Sequence, residues 1–228
     1  MAIARTPEEE QAVRDNLIAV CASVFLRDGY SKSTMKSLSD EAGCTTGKFY
    51  SNFSGKPEIL SVLMEKFERT NYREAVRLLG AENDSEINKI VLFFVMQYEI
   101  CHVNDKIREL FYYTYEDTET IISISKNFVP LLDKALSEEY GRKESEQMLM
   151  IRSVMAFGII RSILIGEHRG FGYDEQGQID AMLQMICHAF DINDKDAKKL
   201  FDRVEAAKPA IREATYNMII YMLQTKLN

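Results

Sequence analysis

Only 4 prolines and 11 glycines interrupt a chain of 228 residues, and between them apolar residues return at the spacing of a helix. Val13, Leu17, Val20, Cys21 and Val24 form one such stripe, and Ile59, Leu60, Leu63, Met64 and Phe67 form another. No stretch shows the strict apolar–polar alternation of a half-buried strand. A chain so poor in turn residues must bury helices against helices, so the expected fold class is all-α.

Helix ends are written into the same sequence. Thr6, Pro7 and Glu9 have the spacing of a capping box with proline at the first helical position, and Gly29 stops that helix. Two short helices follow. Thr34 can cap the first, which runs to about Ala42, and Gly43 suits the sharp turn because it tolerates positive φ. Thr45 or Thr46 can cap the second, expected over roughly 46–53. A long helix should start at Ser54-Gly55-Lys56-Pro57 and run to about Gly80, with no flexible linker behind it. Further helices are expected near 85–103, 105–114, 117–140, 143–169, 175–190, 194–207 and 209–227. The breaks between them fall at Glu82-Asn83-Asp84-Ser85, Gly141, Gly170-Phe171-Gly172, 191–193 and Pro209.

The formal net charge is −7 and the sequence pI is about 5.2, which argues against binding nucleic acid through overall charge. Residues 30–56 differ, because four lysines (32, 36, 48 and 56) face only Asp40 and Glu41 there. Leu38, Ala42, Phe49 and Phe53 point inward at helical spacing, which leaves Thr45, Thr46, Lys48, Tyr50, Ser51 and Asn52 outward. Hydroxyls, an amide and a lysine on one short helix suit the major groove of double-stranded DNA. A solvated surface is the competing reading.

The same block resembles the DNA-binding domain of TetR/AcrR-type transcriptional regulators over about residues 8–65. The residues that carry the resemblance are Phe25, Gly29-Tyr30, Ser33-Thr34, Leu38, Ala42-Gly43, Thr45, Gly47, Phe49-Tyr50, Phe53, Lys56 and Leu60. The chain departs from the pattern at Ser39, where alanine is usual, and at Cys44, where valine is commoner. The resemblance implies a three-helix DNA-binding head with a helix-turn-helix over 1–55, then a helical effector-binding and dimerisation domain over 56–228. It makes Thr45, Thr46 and Lys48 the expected base readers and Tyr50, Asn52 and Lys56 the expected phosphate contacts. Thr34 should meet phosphate while capping its helix, and Gly47 should allow close approach.

Phe93, Phe94 and Tyr98 are followed by Phe111, Tyr112, Tyr113 and Tyr115, then Phe128. Four aromatics within 111–115 cannot all face one core, and their polar tips need partners. A mostly apolar pocket between helices would accommodate them, with Gln97, His102, Asn127 and Arg161 as polar contacts. Plain core packing competes with this reading. The resemblance also implies a small effector in such a pocket. Tyrosine faces and Glu99 suit a cation, whereas Arg161 suits a carboxylate, so the effector's charge stays open.

Residues 148–166 are apolar on most faces and must be buried, with Ala156, Gly158 and Ser162 permitting close helix approach. The resemblance assigns this helix and 175–190 to a four-helix dimer contact, and membrane insertion is the alternative. The apolar end at 218–223 either covers the bundle or extends the dimer.

Catalysis finds little support. Glu99-Ile100-Cys101-His102 is a single Glu-x-x-His motif where a di-iron bundle needs a pair, and no nucleophile elbow, P-loop or dinucleotide fingerprint appears. Cys21, Cys44, Cys101 and Cys187 lack ligand-like spacing and read as free thiols. The N-terminus lacks a signal peptide's apolar core. The expectation is therefore a cytoplasmic homodimer without cofactor that binds a pseudo-palindromic operator as a repressor released by a small molecule. The alternatives are a DNA-binding protein answering to a protein partner or acting architecturally, and a helical enzyme or metal protein.

Overall fold

The computed structural model describes residues 6–80, 85–171 and 174–224, with side chains to residue 220. Ten helices and no strand occupy the described residues. They are α1 (Pro7–Asp28), α2 (Met35–Glu41), α3 (Thr46–Tyr50), α4 (Lys56–Leu79), α5 (Glu86–Cys101), α6 (Asp105–Glu116), α7 (Thr118–Tyr140), α8 (Glu146–His168), α9 (Glu175–Ala189) and α10 (Asp194–Gln224). Gly172, residues 82–84 and the chain end beyond 224 lie outside the described residues, as do the side chains of 221–223.

Local chemistry accounts for most boundaries. Thr6 and Glu9 close the expected capping box on α1, and the chain leaves it through Gly29 at φ +99°. Thr34 caps α2, accepting from Ser37 N–H, while Ser37 returns a bond to the Thr34 amide. Thr45 caps α3 by accepting from Lys48 N–H at 3.2 Å. Gly43, at φ +62°, makes the turn between α2 and α3. The second short helix ends at Tyr50 rather than near 53, yet Phe53 still reaches the core from the turn beyond.

The C-terminal region differs from expectation. A single helix, α10, passes through Pro209 where two helices were expected. Proline inside a helix costs about 3 kcal/mol. Leu200, Val204, Ile211, Ala214 and Met218 are nevertheless all buried on one stripe, against α5, α4, α1 and α9. Burying each large apolar side chain contributes about 1.5–3 kcal/mol, so the stripe outweighs the proline.

The bundle is arranged around α5, which is buried along nearly its whole length and touches α4, α6, α7, α9 and α10. One core runs without a break from Leu17 in α1 to Ile219 in α10. Besides the packing of α1 against α10, the head is joined to the bundle in two further ways. First, α4 begins in the head and continues into the bundle. Arg14 of α1 lies 4.2 Å over the Phe53 ring and binds Glu58 at 2.6 Å, and Lys66 binds Asp15 at 2.6 Å. Second, the Glu109 carboxylate of α6 accepts from the amides of Tyr30 (3.1 Å) and Ser31 (3.3 Å), and Lys106 donates to Asp28 O at 2.9 Å.

Candidate nucleic-acid interface and effector cavity

Phe49, fully buried, seats α3 on the head, so the opposite face of this five-residue helix is left to solvent. Thr45, Thr46, Gly47, Lys48, Tyr50 and Ser51 are all exposed, Tyr50 by 53%. Lys48 has no ion-pair partner among the described residues. A side chain added at Gly47 would meet nothing within 4 Å, so internal packing does not require glycine there. Ser51 and the half-buried Asn52 donate to Lys48 O at 2.7 and 2.8 Å. These bonds finish the helix. Ser39, one of the two departures from the family pattern, is buried. Its hydroxyl donates to Lys36 O at 2.8 Å and lies 3.2 Å from the Thr46 hydroxyl, which ties α2 to α3.

Lys56 is engaged otherwise than expected. Its ammonium donates to Tyr30 O (2.6 Å) and Ser33 O (2.8 Å) and sits 4.2 Å over the Tyr30 ring. Burial lowers its pKa, against the opposing pull of Glu109. The side chain anchors the turn before α2, and it is not presented outward as a free phosphate contact.

A cavity of about 500 Å³ opens between α4, α5, α7 and α8. Phe93, Phe128 and Phe157 form its aromatic wall, with the Phe93 and Phe128 rings stacked at 5.5 Å, and Ile124 and Leu131 complete the apolar lining. Arg69 and Arg73 stand exposed at the mouth. Glu65, accepting from Ser123 at 3.2 Å, and Asn127 add polar groups to the rim. Glu68 lies on the buried side. Its Oε1 accepts from Gln97 Nε2 at 2.7 Å, while Glu68 Oε2 and Gln97 Oε1 have no partner. Gln97 also donates to the Tyr115 hydroxyl. Burial without a cationic partner pushes the Glu68 carboxyl up to about 8.

No family model matches the chain. Over 88 residues it is 26% identical to the HTH-type transcriptional regulator TtgR of Pseudomonas putida, a match covering 39% of this chain and 40% of that protein. The chain therefore matches well under two thirds of that relative's length. In three dimensions it is similar to SmeT, the repressor of the Stenotrophomonas maltophilia multidrug efflux pump SmeDEF. That likeness has a TM-score of 0.54 at 16% identity and covers 80% of this chain and 91% of SmeT. A TetR-family regulator from Pectobacterium atrosepticum gives a TM-score of 0.54 at 18% identity, covering 78% and 92%. The fold is TetR-type.

Within this TetR-type fold the expected effector residues separate into two groups. Phe93, Asn127 and Phe128 line the cavity, and Gln97 and Tyr115 back it through Glu68. The others are absorbed elsewhere. Phe94 packs against Phe93, Phe128, Phe157 and Phe190. Tyr98 donates to Gln178 at 2.7 Å, Phe111 lies edge-on to Phe67, and Tyr112 stacks on His168. Arg161 donates to Tyr115 O at 2.9 Å. The aromatics at 111–115 do not need a pocket, because α6 touches α1, α4, α5, α7 and α8 and so finds a partner on every side. Glu99 and His102 have separate partners. Glu99 lies 3.5 Å from Arg212, and His102 bonds to Glu167 at 2.7 Å. Burial would depress the His102 imidazole, but the Glu167 hydrogen bond and charge outweigh it and the pKa is raised.

Sequence reading missed Glu65, Glu68, Arg69, Tyr72, Arg73, Ile124, Leu131 and Phe157. One signal was available. Leu60, Met64, Phe67, Glu68, Asn71 and Ala75 share one face of α4, and two polar residues on a core stripe are anomalous.

Proposed function

We propose that the protein is a homodimeric, sequence-specific DNA-binding regulator, a repressor released by a small-molecule effector. The observation that carries this reading is α3, whose Thr45, Thr46, Lys48 and Tyr50 face solvent from a helix held by the buried Phe49. The names of the matched relatives, a transcriptional regulator and a repressor, support it. In this reading 1–55 is the DNA-binding head and 56–228 the effector and dimer domain. Thr45, Thr46 and Lys48 read bases. Thr34, Tyr50, Ser51 and Asn52 meet the backbone, Gly47 allows close approach, and the protein works in the cytoplasm.

The effector occupies the cavity at α4, α5, α7 and α8. Lys56 and Glu68 lie twelve residues apart on α4, about 18 Å along the axis. An occupant that favours one placement of α4 therefore shifts the head with it. Two recognition helices one DNA turn apart, about 34–36 Å, would then lose register with successive major grooves.

Dimerisation falls on α8 and α9. Met148, Ile151 and Met155 are exposed in a stripe at 3- and 4-residue spacing that continues through Gly158 and Ser162, with Met185 of α9 exposed nearby. By length and composition α8 could cross a membrane, with mean hydropathy 1.9 over an 18-residue window. Leu149, Ser153, Ala156, Phe157, Ile160 and Leu164 bury its other face in the bundle, so a second copy is the better cover for the stripe. Selection of bound sequences from random double-stranded DNA should return a pseudo-palindrome. Equal affinity for selected and random DNA would remove the proposal.

A further inference from the structure

The buried end of the cavity carries information about what fills it. The inference rests on reading that cavity as the effector site. We infer that the effector is an amphipathic amine, with an apolar body on Phe93, Phe128 and Phe157 and a protonated nitrogen on the Glu68 carboxyl.

Two polar atoms, Glu68 Oε2 on the cavity wall and Gln97 Oε1 behind it, are buried without partners. Unmade hydrogen bonds on buried acceptors are costly, and native proteins rarely keep them without reason. A ligand supplying a donor satisfies Glu68 Oε2 once the carboxyl has ionised. A carboxylate would bring further acceptors to a site that already has an excess. An alcohol offers a single donor, whereas an ammonium offers up to three and adds charge pairing. The aromatic wall favours the same cation through the ring faces. The guanidiniums of Arg69 and Arg73 are exposed at the mouth, so an anion would be held at the entrance. Glu99 and Arg161, the two cues that conflicted in the sequence, are paired elsewhere and do not line the cavity.

The empty site should hold its carboxyl protonated at neutral pH, since burial pushes Glu68 up to about 8. Amine binding then expels that proton. The other titratable groups facing Glu68 are Glu65, Arg69, Tyr72 and Arg73 on α4, Cys101 on α5 and Tyr115 on α6. The lining residues of α7 and α8, which are Ile124, Asn127, Phe128, Leu131 and Phe157, carry none.

The test uses the full chain and three matched probes: naphthylmethylamine, naphthylmethanol and naphthoate. The protein has no tryptophan, so naphthyl fluorescence reports binding directly. The amine should bind about tenfold tighter than the other two. Glu68→Gln, which mimics the protonated acid in shape, should lose that preference and keep its alcohol affinity. In the unaltered protein, amine affinity should fall about tenfold for each unit by which the pH is lowered below 8, with alcohol affinity flat. That second readout stands even if the variant fails to fold. Naphthoate binding as tightly as the amine, or amine affinity flat with pH, would overturn the inference and leave the cavity reading in place. Binding of none of the three would overturn both.

Discussion

Glu109 gives the sharpest test of how the head is held. Its carboxylate accepts from two consecutive amides, Tyr30 at 3.1 Å and Ser31 at 3.3 Å, just past the end of α1. Glu109→Ala deletes both acceptors at once. A hydrogen bond to a charged group is worth about 1.5–3 kcal/mol. Glu109 is half-buried and both bonds are at the long end of the range, so the lower figure applies. Local opening at Tyr30 and Ser31 should become easier by about 1.5–3 kcal/mol in total, which is about 10- to 100-fold faster amide exchange. The assay is hydrogen exchange resolved to those residues, at fixed protein concentration, with amides of α5 as the internal reference. Gly29→Ala attacks the same contact from the other side, because a side chain there would lie 2.7 Å from Glu109 Oε2 on a backbone at φ +99°. Its exchange signature should match. Unchanged exchange at Tyr30 and Ser31 in Glu109→Ala would show that α6 does not hold the head, and the attachment through Glu109 described above would fall.

Three further outcomes are expected. Glu68 has its folded pKa raised to about 8 from an ordinary 4.5, so its contribution to stability is full below pH 4.5 and is lost as pH rises toward 8. Glu68→Gln should remove up to about 1.4 kcal/mol per pH unit from the stability slope in that window, read by urea unfolding. Ile151→Glu and Met155→Glu should give folded monomers by light scattering, and a wild-type protein that is already monomeric at micromolar concentration would contradict the dimer face. Lys48→Ala should change base preference at a cost of about 1–3 kcal/mol at the affected position. Lys56→Ala should instead lower the thermal stability of the head, by removing the ammonium that bridges the Tyr30 and Ser33 carbonyls. Uniform loss of DNA affinity with unchanged stability would reverse that reading of Lys56.

Most of the fold was legible because it is written locally. The Thr6–Glu9 box, the Thr34 and Thr45 caps and the breaks near Gly80 and Gly141 depend on a few adjacent residues. Pro209 misled because its penalty is local, while the stripe from Leu200 to Met218 that overrides it is satisfied by four other helices. The head face was legible for the same reason as the caps, since Phe49 and Phe53 fix which side of a short helix is left over. The cavity was not. Tyr112 and Tyr113 looked like surplus aromatics, but His168 and Tyr30 take their faces, and both come from distant parts of the chain. Glu68 was visible as a charge on a core stripe, but its meaning depends on Gln97 and Tyr115 of two other helices.

The unbroken passage of α4 from the head into the cavity wall has a consequence for how such proteins can be recombined. Each residue of an α-helix turns the chain by about 100° and advances it about 1.5 Å. Inserting one residue between Lys56 and Glu65 would swing α1–α3 by about 100° around the axis and pull Tyr30 away from Glu109. An insertion of seven residues, close to two whole turns, would nearly restore the phase but lift the head by about 10 Å. A foreign head grafted onto this bundle must therefore match the helical phase of α4 and present two amides where Glu109 waits for them. Sequence identity at the junction matters less than that geometry.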